Sequence, residues 1–156
     1  MKQVQDAFIV AATRTPIGRA PKGMFRNTRP DDLLVAAIRS AMSQVPSLDP
    51  KAVEDAIIGC AMPEAEQGLN VARIAVLLAG LPPSTGGVTI NRFCSSGLNA
   101  VAMAADRIRV GEADVMIAGG TESMSMVPMM GNKVAMTPSV FENEHVAIAY
   151  GMGITA

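Results

Sequence analysis

Along the chain, short unbroken apolar runs alternate with stretches whose apolar positions recur every three or four residues. Ala7-Phe8-Ile9-Val10-Ala11-Ala12 is a continuous apolar run of strand length that leads into the turn-rich Thr15-Pro16-Ile17-Gly18, so a first strand buried on both faces is expected. Pro30 followed by Asp31 and Asp32 makes a helix start, with proline where a backbone donor is not needed and acids at the positive end of the dipole. Leu34, Ile38, Ala41, Met42 and Val45 then recur at helical spacing until Pro46 stops the helix.

The plan repeats. Ala56-Ile57-Ile58-Gly59-Cys60 reads as a second strand, and Asn70 caps a helix that runs through Leu78 and ends at Gly80. That helix is apolar nearly all round, which predicts burial. Val88-Thr89-Ile90-Asn91 is a third short strand, Ser95 to Val110 a third helix ended by Gly111, and Val115-Met116-Ile117-Ala118-Gly119 a fourth strand. The order β-α-β-α-β-α-β predicts an α/β fold with a mainly parallel sheet, right-handed crossovers and helices packed on the sheet. In the third helix Gly97, Ala100, Ala102, Ala104 and Ala105 keep the surface thin, so neighbours can approach closely. From Thr121 to about Ser139 the period is lost, and a long loop or the start of an inserted subdomain is expected. The final Gly151-Met152-Gly153-Ile154-Thr155-Ala156 has no stop signal, as though the chain were cut.

Composition narrows the function classes. With 156 residues and 49% hydrophobic content the chain suffices for one ordinary globular domain. A net charge of −1, with Lys and Arg scattered, argues against nucleic acid or an anionic membrane as partner. Aromatics at 3% make a base-stacking platform improbable. No apolar run approaches the roughly 20 residues that span a bilayer, and the first residues lack a signal peptide's apolar segment, so a cytoplasmic protein is expected. Its two cysteines, Cys60 and Cys94, are then expected to stay reduced.

Cys94 falls at a predicted strand-to-helix junction, Asn91-Arg92-Phe93-Cys94-Ser95-Ser96-Gly97, where unpaired amides at a helix start favour negative charge. Such a position lowers a cysteine pKa from about 8.5 into a range of roughly 3.5 to 7.5, and the thiolate is the form that attacks a thioester or ketone. The same amides are suited to an oxyanion. Against this stands the reading of a lone cysteine as a small buried hydrophobe. Cys60, ending a buried strand, reads as packing, and His145, among Glu142, Asn143 and Glu144, as a solvated surface histidine. Met124, Met126, Met129 and Met130 read as adaptable packing in a loop or subunit contact. Gly119-Gly120 lacks the spacing of a phosphate-binding loop.

The segment Asn91-Arg92-Phe93-Cys94-Ser95-Ser96-Gly97-Leu98-Asn99-Ala100-Val101 closely resembles the nucleophile segment of the thiolase family. Phe8 to Gly18 is similar to that family's opening strand and turn, and Ala118-Gly119-Gly120-Thr121-Glu122-Ser123-Met124-Ser125 to its fourth strand and exit. Asn70-Val71-Ala72-Arg73 with Ala79-Gly80-Leu81-Pro82 resembles its second helix, and Met152-Gly153-Ile154-Thr155-Ala156 a segment of its inserted loop domain. The resemblance spans essentially the whole chain, in order. It implies a thiolase-like fold in which residues 1–120 are an amino-terminal half-domain carrying the nucleophile and residues 121–156 begin the loop domain, the carboxy-terminal half being absent.

The function this resemblance implies is acyl transfer between a cysteine thioester and coenzyme A, cleaving 3-ketoacyl-CoA or condensing acyl-CoAs, as in fatty acid β-oxidation. Cys94 would be the nucleophile, and Met152 would line the substrate's pantetheine arm. No metal and no cofactor is implied, since coenzyme A is a substrate. A homodimer or homotetramer is expected, paired through the third strand. Phe93 departs from the glutamine or leucine common before the nucleophile, so it gives no guide to acyl-chain preference. The family's remaining catalytic groups are a histidine, a second cysteine and an asparagine-histidine pair, all in the half that is absent; neither Cys60 nor His145 replaces them. The isolated chain is therefore expected to be inactive alone. The alternative is a non-catalytic assembly module derived from a thiolase, and a nucleotide-binding domain is a third reading that rests on fold pattern only.

Overall fold

The computed structural model describes residues 4–142 and 152–155. Three strands, β1 (Asp55–Gly59), β2 (Val88–Ile90) and β3 (Met116–Gly120), form one sheet in the order β2-β1-β3. Both pairings are parallel, with Ile57 opposite Val88 on one side and Ala118 on the other. Helices α1 (Pro30–Ser43) and α2 (Val71–Ala79) cover one face and α3 (Ser96–Arg109) the other. Two short helices, α4 (Ser139–Glu142) and α5 (Met152–Thr155), follow a long irregular stretch.

The period of two in β1 explains the layering. Ala56, Ile58 and Cys60 point into the α1/α2 layer with Val53, Leu34, Ile38, Val71, Ala75 and Val76, while Ile57 meets Ala100 and Ala104 of α3 on the opposite side. A central parallel strand buried on both faces has no polar positions to alternate with, and that is why it reads as an unbroken apolar run.

The helix ends follow from local chemistry. Pro30 opens α1, and Arg29 holds the buried Asp31 with both carboxylate oxygens within 3.0 Å of its guanidinium. In α2 the Asn70 side chain accepts from the Arg73 amide at 3.3 Å, and Gly80 closes the helix at φ 93°, a left-handed angle that costs glycine nothing. Burial of α2 is one-sided: Val71, Ala72, Ala75 and Val76 are sealed, but Leu77 and Leu78 stand about half exposed. The expectation of an all-round buried helix is thus corrected, because its main neighbours among the described residues are one helix, α1, and the sheet.

The expected first strand is the larger difference. Residues 7–12 pair with no strand among the described residues, and Phe8, Ile9 and Val10 are 77%, 78% and 73% exposed. The segment is tied at its ends, by the Gln5 amide to Arg109 O at 3.1 Å and by Gln44 Nε2 to Ala12 O at 3.2 Å. Between those ties a cleft of about 630 Å³ separates it from α1 and β3. Ladder bonds need a neighbouring strand some 5 Å away, and among the described residues the sheet pairs only β2, β1 and β3.

Glycine lets α3 sit directly on the sheet. A Cβ on Gly59 would lie 2.5 Å from the Ser96 carbonyl carbon, and one on Gly120 would lie 3.7 Å from Gly97 Cα of α3. The start of α3 is therefore held against the carboxyl ends of β1 and β3. Ligand sites of open parallel sheets lie at these strand ends.

Candidate active site

Cys94 is the central residue of a 3-10 turn, Phe93–Ser95, that leads into α3. The residue is exposed and its thiol is free of any disulfide. No side chain caps the start of α3 and no acid occupies its first turn, so the partial positive charge of the helix end is not answered by a carboxylate there. The helix starts one residue later than the sequence suggests, at Ser96.

The turn is braced from both sides. Phe93 has φ 46°, a left-handed angle that a bulky residue rarely adopts and that costs on the order of 1–3 kcal/mol. Its amide donates to Asn91 Oδ1 at 2.8 Å, and its carbonyl accepts from Ser96 Oγ at 2.6 Å. Ser96 Oγ also accepts from the Arg92 amide at 2.8 Å, and Ser95 Oγ donates to Arg92 O at 3.0 Å. Each bond adds roughly 0.5–1.5 kcal/mol net, so together they offset the strain. Ser96 is 4% exposed, which fixes this bracket in the body of the protein.

Asn91 reaches further, donating through Nδ2 to Ala61 O at 2.9 Å in the loop after β1. That loop is gripped by Glu122, just beyond β3. The Glu122 carboxylate accepts from the Ala61 amide at 2.6 Å and the Met62 amide at 3.3 Å, and is met by Gln67 Nε2. Gln67 is fully buried and accepts from the Ser123 amide at 2.9 Å. A continuous set of contacts runs from Glu122 through the 61–62 loop and Asn91 to the turn that bears Cys94.

Cys60 faces this network from beneath, 1% exposed, with its sulfur 3.9 Å from Glu122 Oε1. Loss of solvent first, and the nearby Glu122 charge second, push its thiol up to about 12, so it stays protonated and inert. The two cysteines are thus separated by environment: one packed, one presented.

Met152 lies in α5 and is exposed, and His145 lies outside the described residues. No group of three or more His, Cys, Asp or Glu suited to a metal ion occurs among the described residues. No described helix is long and apolar enough to cross a membrane. Sequence reasoning did not single out Asn91, Ser96, Gln67 or Glu122. Asn91, Ser96 and Glu122 lie within the motifs quoted around Cys94 and Gly120, but nothing in spacing reveals that they meet.

Residues 7–155 match the family described as Thiolase, N-terminal domain. A 3-ketoacyl-CoA thiolase of Bacillus subtilis is 49% identical over 129 residues, 83% of this chain and 33% of that protein. A 3-ketoacyl-CoA thiolase of Colwellia psychrerythraea is 44% identical over 154 residues, 98% of this chain and 39% of that protein. A 3-oxoadipyl-CoA/3-oxo-5,6-dehydrosuberyl-CoA thiolase of Escherichia coli is 47% identical over 132 residues, 85% of this chain and 33% of its own length. Among solved structures, the Bacillus anthracis acetyl-CoA acetyltransferase superposes with a TM-score of 0.74 at 32% identity, covering 91% of this chain and 38% of that one. The chain spans between a third and two-fifths of the length of these relatives.

Proposed function

The chain belongs to the thiolase family through its amino-terminal domain, and from that premise we propose that it supplies the nucleophile of an acyl-CoA C-acyltransferase, with Cys94 as the residue acylated. The observation that carries this reading is the presentation of an exposed cysteine on a braced turn ahead of an uncapped helix start, at the carboxyl ends of the parallel strands. In the thiolytic direction the Cys94 sulfur attacks the keto carbonyl of a 3-ketoacyl-CoA. The bond between the keto carbon and the α-carbon breaks, the acyl group stays on sulfur, and the departing acetyl-CoA carbanion takes a proton. The thiol of a second coenzyme A then attacks the thioester and loses its proton, releasing acyl-CoA and freeing Cys94. Coenzyme A is substrate throughout, and no metal or redox cofactor takes part.

On the family resemblance, the residues that move the protons in this scheme are not among residues 1–156, and removing members of a catalytic unit leaves little turnover. We accordingly expect a single acyl transfer to Cys94 and negligible sustained thiolysis by residues 1–156. Met152 is assigned to the pantetheine arm on the family resemblance, and residues 121–156 to the start of a loop domain. Assembly as a homodimer or homotetramer fits β2, whose edge away from β1 is unpaired among the described residues.

Incubation with acetyl-CoA or acetoacetyl-CoA, followed by peptide mass mapping, tests the reading. The expected result is one acetyl group on Cys94, absent from Cys94→Ser, with Cys60 unmodified. Acetylation no faster than in the urea-unfolded chain would remove the nucleophile assignment, and robust acetoacetyl-CoA cleavage by the 156-residue chain would remove the expectation of negligible turnover.

A further inference from the structure

Resting on the reading of Cys94 as nucleophile, we propose that Asn91 and Ser96 are positioning residues, a bracket that holds Phe93 left-handed and thereby aims the Cys94 sulfur, with Glu122 anchoring the loop against which Asn91 braces. Three observations meet here. Phe93 is the residue immediately before Cys94, and its positive φ sets the direction in which the chain delivers the sulfur. Both polar groups of the Phe93 backbone are engaged by side chains, the amide by Asn91 Oδ1 and the carbonyl by Ser96 Oγ. The far end of Asn91 is fixed on Ala61 O, in a loop whose two successive amides are held by the Glu122 carboxylate.

The geometry assigns the two side chains different tasks. Ser96 is buried and closes the turn internally, accepting from the Arg92 amide and donating to Phe93 O, so it sets the shape of the turn. Asn91 joins the turn to the loop after β1, so it sets where that shape stands over the strand ends. Neither touches the sulfur, and both act through Phe93. Attack on a carbonyl demands a defined line of approach, whereas a small alkylating agent free in solution reaches an exposed thiol from any open side. Loss of the bracket therefore separates two rates that a merely unfolded turn would change together.

The test measures both on the 156-residue chain: single-event acetyl transfer from acetyl-CoA to Cys94, and alkylation of Cys94 by iodoacetamide. Asn91→Ala and Ser96→Ala are expected to slow acetyl transfer on the order of tenfold to a hundredfold, the scale of a small misplacement of a reacting atom, while alkylation changes little. Asn91→Asp, which keeps the oxygen that accepts from the Phe93 amide but loses the donor to Ala61 O, is expected to recover only part of the transfer. Phe93→Gly, which frees φ without touching either bracket residue, is expected to slow transfer as the alanine variants do. Wild-type transfer rates in folded Asn91→Ala and Ser96→Ala overturn the proposal, as does an equal fall of transfer and alkylation in both. Absence of acetyl transfer in the wild-type chain itself, with Cys94 still alkylated, sinks the nucleophile reading instead.

Discussion

Cys60 and Cys94 each follow the end of a strand, yet their surroundings give them opposite chemistry. Cys60 keeps its proton up to about 12 because burial and Glu122 oppose its charge, whereas an unfolded cysteine titrates near about 8.5. Between those values the unfolded chain has released a proton that the folded chain retains. Stability from this group is therefore complete below about 8.5 and is lost as pH rises toward 12. Urea melts of the wild type and Cys60→Ala, run near neutrality and at a pH of about 10, should show a steeper alkaline loss in the wild type. Parallel losses would show that Cys60 contributes nothing to the pH dependence. Iodoacetamide should likewise label Cys94 well before Cys60 in the folded chain, and comparable labelling rates on peptide mapping would contradict the contrast in exposure.

At the scale of elements, the contact of α3 with β1 is the most sensitive point. Gly59→Ala places a methyl carbon 2.5 Å from the Ser96 backbone, so helix or strand must shift. A loss of about 1–3 kcal/mol in a denaturant melt is expected, together with slower acetyl transfer to Cys94, since the start of α3 carries the turn. A stability unchanged from wild type would mean that the two elements separate without strain. The sequence made much of this level legible. Asn70 and Gly80 bound α2 where cap chemistry places them, and the apolar run of β1 matches its burial, whereas β3 is only half-buried. It misled at residues 7–12 because an apolar run states a preference for being covered, not the presence of a neighbour to cover it. The exposure of Leu77 and Leu78 has the same origin: an all-apolar helix does not say how many partners it has.

For the molecule as a whole, the apolar groups left in water dominate its behaviour. Phe8, Ile9, Val10 and Ile17 are largely exposed within one short stretch of sequence, and so are Leu69, Leu98 and Phe141. Contiguous apolar surface of this kind drives association, so the 156-residue chain is expected to self-associate, with a light-scattering mass that rises with concentration. Ile9→Lys should reduce that rise; a monomer at every concentration in the wild type would refute it. The candidate site was legible only in part at this scale. Cys94 announces itself because its motif is contiguous, but Asn91 meets Ala61 across 30 residues of sequence and Glu122 meets it across 61, and no local pattern carries such distances.

The arm formed by residues 4–17 is fastened at Gln5 and again at Ala12 and Thr13, with open space under the span between. A span moored at its piers gives way without disturbing what stands on either bank. In deuterated buffer its amides should exchange within moments, long before those of β1, whose release requires the whole sheet to come apart.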